Sequence, residues 1–213
     1  MDYKLVIYDW DGTVMDTVPK IVNTINLVAD KYGFARETEE KTKSIIGLSL
    51  EHALATLFPA QSKRSAELAD AYKAIYRDID CTPTELFEGV ESVIKQLSDN
   101  NIKLAIATGK SRTGLDRLLS ESGLAHYFVS TRTADEAQSK PNPDMIQQIL
   151  AELDVAPQEA VMIGDTTIDM DMAARAGVAA VGVTFGVANA AELRAYSPIH
   201  IVDEFEQLLT CLL

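Results

Sequence analysis

Cysteine is scarce in this chain: Cys81 and Cys211 are the only two in 213 residues, far apart and without metal-ligand spacing. Two isolated thiols build neither a disulfide framework nor a zinc site, and they are most simply reduced, which predicts a cytosolic location. Long apolar runs are missing as well. No stretch approaches the roughly 18 to 20 apolar residues that a bilayer requires, so a membrane span is not expected. The N-terminus enters a strand pattern almost at once, leaving no room for the basic and apolar regions of a signal peptide. Cys211 sits one place away from what a prenylation signal requires. Basic residues are outnumbered 19 to 32, for a net charge of −13. Such a surface repels nucleic acid and anionic membranes, so neither is an expected partner. A small anionic ligand, held by a few local donors and a cation, remains compatible with it. Histidine is rare, and His52, His126 and His200 share no metal spacing, so they read as structural or surface residues. Neither an internal repeat nor a low-complexity tract occurs, and no oligomeric state is implied.

What the chain does have is hydrophobic content of 47% and a length sufficient for one buried core plus a small second lobe. Near its start, Leu5-Val6-Ile7-Tyr8 has the β-branched content and length of a buried strand. It runs directly into Asp9, Trp10, Asp11 and Gly12. Alternation along an extended segment gives Asp9 and Asp11 one direction and Trp10 the other. Asp-Gly alone is ordinary turn chemistry, but in open α/β sheets the carboxyl ends of strands are where ligands bind.

From Val18 to Tyr32 apolar residues recur at helical spacing, with Thr17 as the expected cap and Pro19 in the first turn. A polar piece, Glu37 to Ser44, leads to a glycine turn at Gly47, and helices are expected over 50–58 and 62–79. Residues 15–83 therefore read as an all-helical insertion. After Thr82-Pro83-Thr84 the pattern alternates: strands are expected over 102–107, 128–130, 161–163 and 179–183, and helices over 90–97, 113–122, 144–153 and 167–176. Such alternation implies an α/β fold, a mostly parallel sheet covered on both faces. Met145, Met162, Met170 and Met172 read as core.

Three of these strands end in polar residues: Asp9 and Asp11 after the first, Thr108-Gly109-Lys110 after the second, Gly164-Asp165 after the fourth, with Asp169 following. Ser139-Lys140-Pro141-Asn142-Pro143 lies between. Parallel strands share direction, so all of these fall on one edge. Singly, each has an ordinary explanation: helix capping for Asp165 and Asp169, a solvated loop for Lys140. Together they pose an electrostatic problem. Two carboxylates about 4 Å apart repel by ~4 kcal/mol at an effective dielectric of ~20, and several such pairs rival a domain's stability of ~5–15 kcal/mol. A hard divalent cation with oxygen ligands, Mg²⁺ above all, removes the penalty, and Lys140 adds a second compensating charge. A carboxylate nucleophile, a second acid, a cation, a lysine and a hydroxyl are equipment for phosphoryl transfer.

With those residues in place, the chain resembles the haloacid dehalogenase superfamily of phosphohydrolases. Four motifs follow in order: DWDGT (Asp9 to Thr13), Thr108, Lys140 in KPNP, and GDTTID (Gly164 to Asp169). The resemblance covers essentially the whole chain. It implies a Rossmann-like core over 1–14 and 84–213, with a small all-helical cap domain over 15–83. The stretch IATGKSRTGLDRLL is similar to phosphoglycolate-phosphatase-like sequences. By the same resemblance Asp9 is the nucleophile and Asp11 the acid and base. Mg²⁺ is held by Asp9, Asp165 and the backbone carbonyl of Asp11, with Asp169 in support. Thr108 and the Gly109 amide bind phosphoryl oxygens, and Lys140 neutralises charge. Trp10 departs from the smaller apolar residue commoner there and is expected in the core beneath the site. Asp11 favours oxygen leaving groups, because relatives that cleave carbon–halogen bonds lack this acid.

The turn at Gly47 falls where relatives place a substrate-selecting loop, so Gly47, Leu48, Ser49 and Lys43 are candidate substrate contacts. The expected activity is hydrolysis of a small phosphorylated metabolite, 2-phosphoglycolate first among them. A sugar phosphomutase or a pyrophosphatase would use the same residues. A phosphorylatable receiver module is disfavoured, because there the phosphorylated Asp lies mid-chain and no sizeable helical cap follows it.

Overall fold

Four consecutive apolar residues give an extended segment no solvent-facing side. In the computed structural model, which describes residues 3–213, they form the buried central strand β1 (Leu5–Tyr8). One flank of β1 pairs with β4 (Lys103–Ala107), which pairs with β5 (Phe128–Arg132). The other pairs with β6 (Ala160–Gly164), followed by β7 (Ala179–Val183) and β8 (His200–Val202). Every pairing in this six-stranded sheet is parallel. The fold is α/β with a parallel sheet, as the alternation predicted, and Rossmann-like, as the resemblance implied.

The two faces of the sheet follow from alternation along β1. Val6 and Tyr8 join a layer with α5 (Val90–Asp99), α6 (Arg112–Ser122) and α10 (Gln207–Leu212). Leu5 and Ile7 join the opposite layer with α7 (Asp144–Leu153), α8 (Thr167–Ala176) and α9 (Ala190–Arg194). Trp10 lies fully buried in the first layer, edge-on to Phe128, as expected from its parity with Tyr8. Met145, Met162, Met170 and Met172 are all buried in the second.

Between β1 and α5 the chain forms a helical lobe with a hydrophobic cluster of its own. Its helices are α1 (Val18–Tyr32), α2 (Glu39–Lys43), α3 (Leu50–Leu57) and α4 (Ser65–Asp78), packed through Ile25, Val28, Leu54, Leu57, Leu68 and Ile75. The chain leaves and re-enters the α/β layers side by side: β2 (Met15–Asp16) and β3 (Glu85–Leu86) pair antiparallel, Met15 opposite Leu86 and Asp16 opposite Glu85. Beside this ribbon Asp80 accepts hydrogen bonds from Thr24 Oγ1 (2.6 Å), Asn23 Nδ2 (3.0 Å) and the Thr82 amide (2.9 Å). Burial opposes its ionisation, but the donors outweigh it and hold the Asp80 carboxyl below the usual range.

Several elements differ from the sequence reading. The polar piece contains α2, whose EEKTK sequence buries only Thr42 and so carries no apolar period; Thr38 Oγ1 caps it by accepting the Lys41 amide. A 3₁₀ segment, Pro59–Arg64, delays α4 until Ser65. The ribbon β2–β3, β8, α9 and α10 are too short to show a period. Thr17 does occupy the N-cap position of α1, but its hydroxyl makes no capping bond and donates to Asp11 instead.

Candidate active site

Strand register brings the motif residues level. Tyr8 is paired with Ile106 on one side and Ile163 on the other, and the Asp9 amide donates to the Ile163 carbonyl (2.9 Å). The chain after β1 therefore emerges between Thr108 and Asp165. Asp9, Asp165 and Asp169 are all buried, and one carboxylate oxygen from each lies within 4.8 Å of the others.

One cation enters this cluster from the protein. Lys140, fully buried, places Nζ 2.8 Å from Asp9 Oδ1 and 2.7 Å from Asp169 Oδ1. Burial alone would lower the pKa of its ammonium, but Asp169 and Asp9 outweigh it and raise it, so Lys140 stays charged. Asp169 is otherwise satisfied: its Oδ2 accepts from Thr166 Oγ1 (2.6 Å) and the Thr166 amide (3.2 Å), a reciprocal cap on α8. Asp165 accepts from Thr13 Oγ1 (2.9 Å) and the Val187 amide (2.8 Å). Neither Asp9 oxygen accepts a well-directed hydrogen bond, despite the short contact to Lys140. Burial pushes the Asp9 carboxyl up to about 7 against the pull of Lys140, with Asp169 and Asp11 adding repulsion. Burial, then Asp169 and Asp9, drive Asp165 well above the carboxylate range as well.

Of the three buried carboxylates Lys140 touches Asp9 and Asp169, leaving Asp165 without an ion pair among the described residues, and the donors are all oxygen. That set fits a hard divalent cation, and the free lone pairs lie on Asp9.

Asp11 stands apart from this cluster. Its carboxylate accepts from Thr17 Oγ1 and from Lys110 Nζ, 2.8 Å away. Burial would lower the pKa of the Lys110 ammonium, but Asp11 and Tyr76 raise it, so it too remains charged. Thr108 is buried at the end of β4, its Oγ1 accepting the Lys110 amide (3.3 Å).

The Gly47 turn lies directly over this edge. A methyl on Gly109 would fall 2.5 Å from the Leu48 carbonyl oxygen and 2.7 Å from that of Gly47, so the two backbones meet only because Gly109 has no side chain. The Ser49 amide, rather than its hydroxyl, donates to Ser139 Oγ (2.9 Å), next to Lys140. Lys43, paired with Glu39 at 2.6 Å, lines a cleft of about 530 Å³ between Ser44 and Ile46 on the lobe and Thr166 and Val187 on the core. His52, His126 and His200 contribute nothing to the acidic cluster among the described residues.

The family model described as haloacid dehalogenase-like hydrolase matches residues 6–183. The chain belongs to that family. Among its relatives, the probable phosphatase IndB of Dickeya dadantii is 33% identical over 210 residues, 96% of this chain and 91% of the relative. The phosphoglycolate phosphatase of Vibrio vulnificus is 26% identical over 221 residues, covering 100% of this chain and 97% of the relative. Among solved structures, a haloacid dehalogenase-like hydrolase from Bacteroides fragilis superposes with a TM-score of 0.88 at 26% identity, covering 97% of this chain and 100% of that one.

In this haloacid dehalogenase-like hydrolase, four site features escaped the sequence reading. Lys110 was visible beside Thr108 and Gly109, but nothing in its spacing connects it to Asp11. Thr17 resembles a routine cap. Thr13 closes the first motif, 152 residues from the carboxylate it serves. Gly186 and Val187 follow β7 in a stretch without any motif, and only the folded chain brings them to Asp165.

Proposed function

We propose that this chain is a Mg²⁺-dependent phosphatase that hydrolyses a small phosphate monoester through an aspartyl-phosphate on Asp9. The observation that carries this reading is the state of Asp9: buried, without a well-directed hydrogen bond, 2.8 Å from the ammonium of Lys140, with a second acid two residues on. In the first step an Asp9 oxygen bonds to phosphorus, the bond from phosphorus to the leaving oxygen breaks, and Asp11 gives that oxygen its proton. In the second, water attacks phosphorus, Asp11 takes its proton, and phosphate departs with Asp9 restored. Thr108 and the Gly109 amide hold phosphoryl oxygens, while Lys140 offsets charge on Asp9 and the transferring group. Asp9, Asp165 and the Asp11 carbonyl would hold Mg²⁺, supported by Asp169; when bound, the ion neutralises phosphoryl charge.

Residues 15–83 act as a cap domain over a core formed by 1–14 and 84–213. Its Gly47–Ser49 turn, with Lys43, faces the substrate. The substrate class is a small phosphorylated metabolite, 2-phosphoglycolate being the first to test, in a cytoplasmic setting. The similarity to the Vibrio phosphoglycolate phosphatase supports this, as does the docking of the Gly47 turn onto Gly109.

Asp9→Asn tests the reading, because it keeps the shape of the side chain and removes the nucleophile. Turnover of p-nitrophenyl phosphate should fall by at least about 1,000-fold, in the range expected for losing a covalent nucleophile, with the melting temperature preserved. Near-normal turnover by this variant, or full wild-type turnover in excess chelator, would refute it.

A further inference from the structure

Three cations crowd one aromatic ring where the helical lobe meets the core. Tyr76, on α4, is 8% exposed, and its hydroxyl has no hydrogen-bond partner among the described residues. Around its ring centroid stand Lys20 Nζ at 4.7 Å, Lys110 Nζ at 5.5 Å and Arg117 Cζ at 5.6 Å. They converge from separate elements: Lys20 from α1, Lys110 from the loop after β4, Arg117 from α6. Attraction to the ring face favours each cation there, yet three like charges around one ring also repel one another.

Their counter-charges are few for a chain whose net charge is −13. Lys110 is paired with Asp11. Among the described residues Arg117 pairs only with Glu121, at 3.8 Å and partly exposed. Lys20 has no ion pair among the described residues. The position of the cluster gives the surplus a meaning. Asp11, the group that hands its proton to the departing oxygen, is held 2.8 Å from Lys110, so the leaving group exits beside this ring.

We infer that Lys20, Lys110 and Arg117, with the Tyr76 hydroxyl, form a subsite for a second negative charge, carried by the leaving group. The inference rests on the phosphatase reading and narrows it. The substrates are phosphate esters or anhydrides whose departing half is itself an anion: the carboxylate of a phosphorylated hydroxy acid, or a second phosphate. Lys110 then serves two groups, the proton donor and the ligand charge, while Lys20 and Arg117 serve the ligand alone.

The test measures phosphate release by the full-length, Mg²⁺-supplied protein from 2-phosphoglycolate, from pyrophosphate and from ethyl phosphate, whose leaving group is uncharged. The readout is the ratio of kcat/KM for each anionic substrate to that for ethyl phosphate, because partial misfolding scales both values and leaves the ratio alone. Wild type should favour at least one anionic substrate by tenfold or more, and which one identifies carboxylate or phosphate as the charge recognised. Arg117→Met and Lys20→Met should each cut that ratio at least fivefold, mainly through KM, and Arg117→Lys should recover part of it. Equal treatment of charged and neutral leaving groups, or ratios unmoved in both Met variants, overturns the inference. If none of the three substrates is hydrolysed while p-nitrophenyl phosphate is, this inference alone fails. If p-nitrophenyl phosphate also survives, the phosphatase reading fails with it.

Discussion

Asp165 is oriented by Thr13 Oγ1 and the Val187 amide, and two neighbouring glycines leave room for its carboxylate. A methyl built on Gly186 would overlap Asp165 Oδ2 and the Gly12 carbonyl oxygen, and one on Gly12 would overlap the same Oδ2. Gly186→Ala should therefore turn the carboxylate, raise the Mg²⁺ concentration needed for half-maximal activity by at least tenfold, and destabilise the fold by about 1–3 kcal/mol, as overpacking does. Titrating activity against Mg²⁺, with a thermal melt in parallel, separates the two effects. Individual residues are also where the sequence was least legible. Asp9, Asp165 and Lys140 could be placed because each follows an apolar strand or lies in a distinctive short run. Lys110 could be put on the same edge and Thr17 at the start of a helix, but neither could be joined to Asp11, because those contacts exist only in the folded chain.

At the scale of elements, the periods that sequence reveals are those of segments long enough to repeat. The helices over 144–153 and 167–176 were legible for that reason, and the four-residue β1 because its run is apolar throughout. The three residues of β8 and the five of α2 were not, because their placement is decided by neighbours rather than by pattern. The contact between the Gly47 turn and Gly109 belongs to this scale too, since it is backbone against backbone. Gly109→Ala leaves neither partner a rotatable side chain to move, so the turn should lift away. The expected result is a fall in kcat/KM of roughly tenfold on small esters, the scale on which misplacement of a closing element acts. Faster hydrogen exchange at the Ser49 amide, which loses Ser139 Oγ, should accompany it; unchanged exchange would show that the turn does not depend on this glycine.

For the molecule as a whole, the acidic cluster sets how stability responds to pH. A carboxyl whose pKa is raised on folding contributes stability below its unfolded value, and that contribution is lost as pH rises through the folded value. For Asp9 the window runs from 3.8 to about 7, and Asp165 is shifted in the same direction. Without metal, the contribution of these acids should fall across that window. A divalent cation binds the ionised form, so Mg²⁺ at a hundredfold excess over Kd should stabilise the fold by up to about 2.7 kcal/mol, and the resulting rise in melting temperature should be larger at pH 8 than at pH 5. Calorimetry at the two pH values, with and without Mg²⁺, checks the sign; an equal increment at both would place binding away from these carboxylates.

The ribbon in which Asp16 lies opposite Glu85 has a consequence for the history of such chains. Two strands that already run side by side in opposite directions can be joined by a tight turn of a couple of residues. Everything between them is then an optional passenger: it can be shortened, enlarged or exchanged without reregistering a single strand of the parallel sheet. The helical lobe and the parallel sheet thus lie on separable stretches of polypeptide, and the length of one can drift while the register of the other is kept.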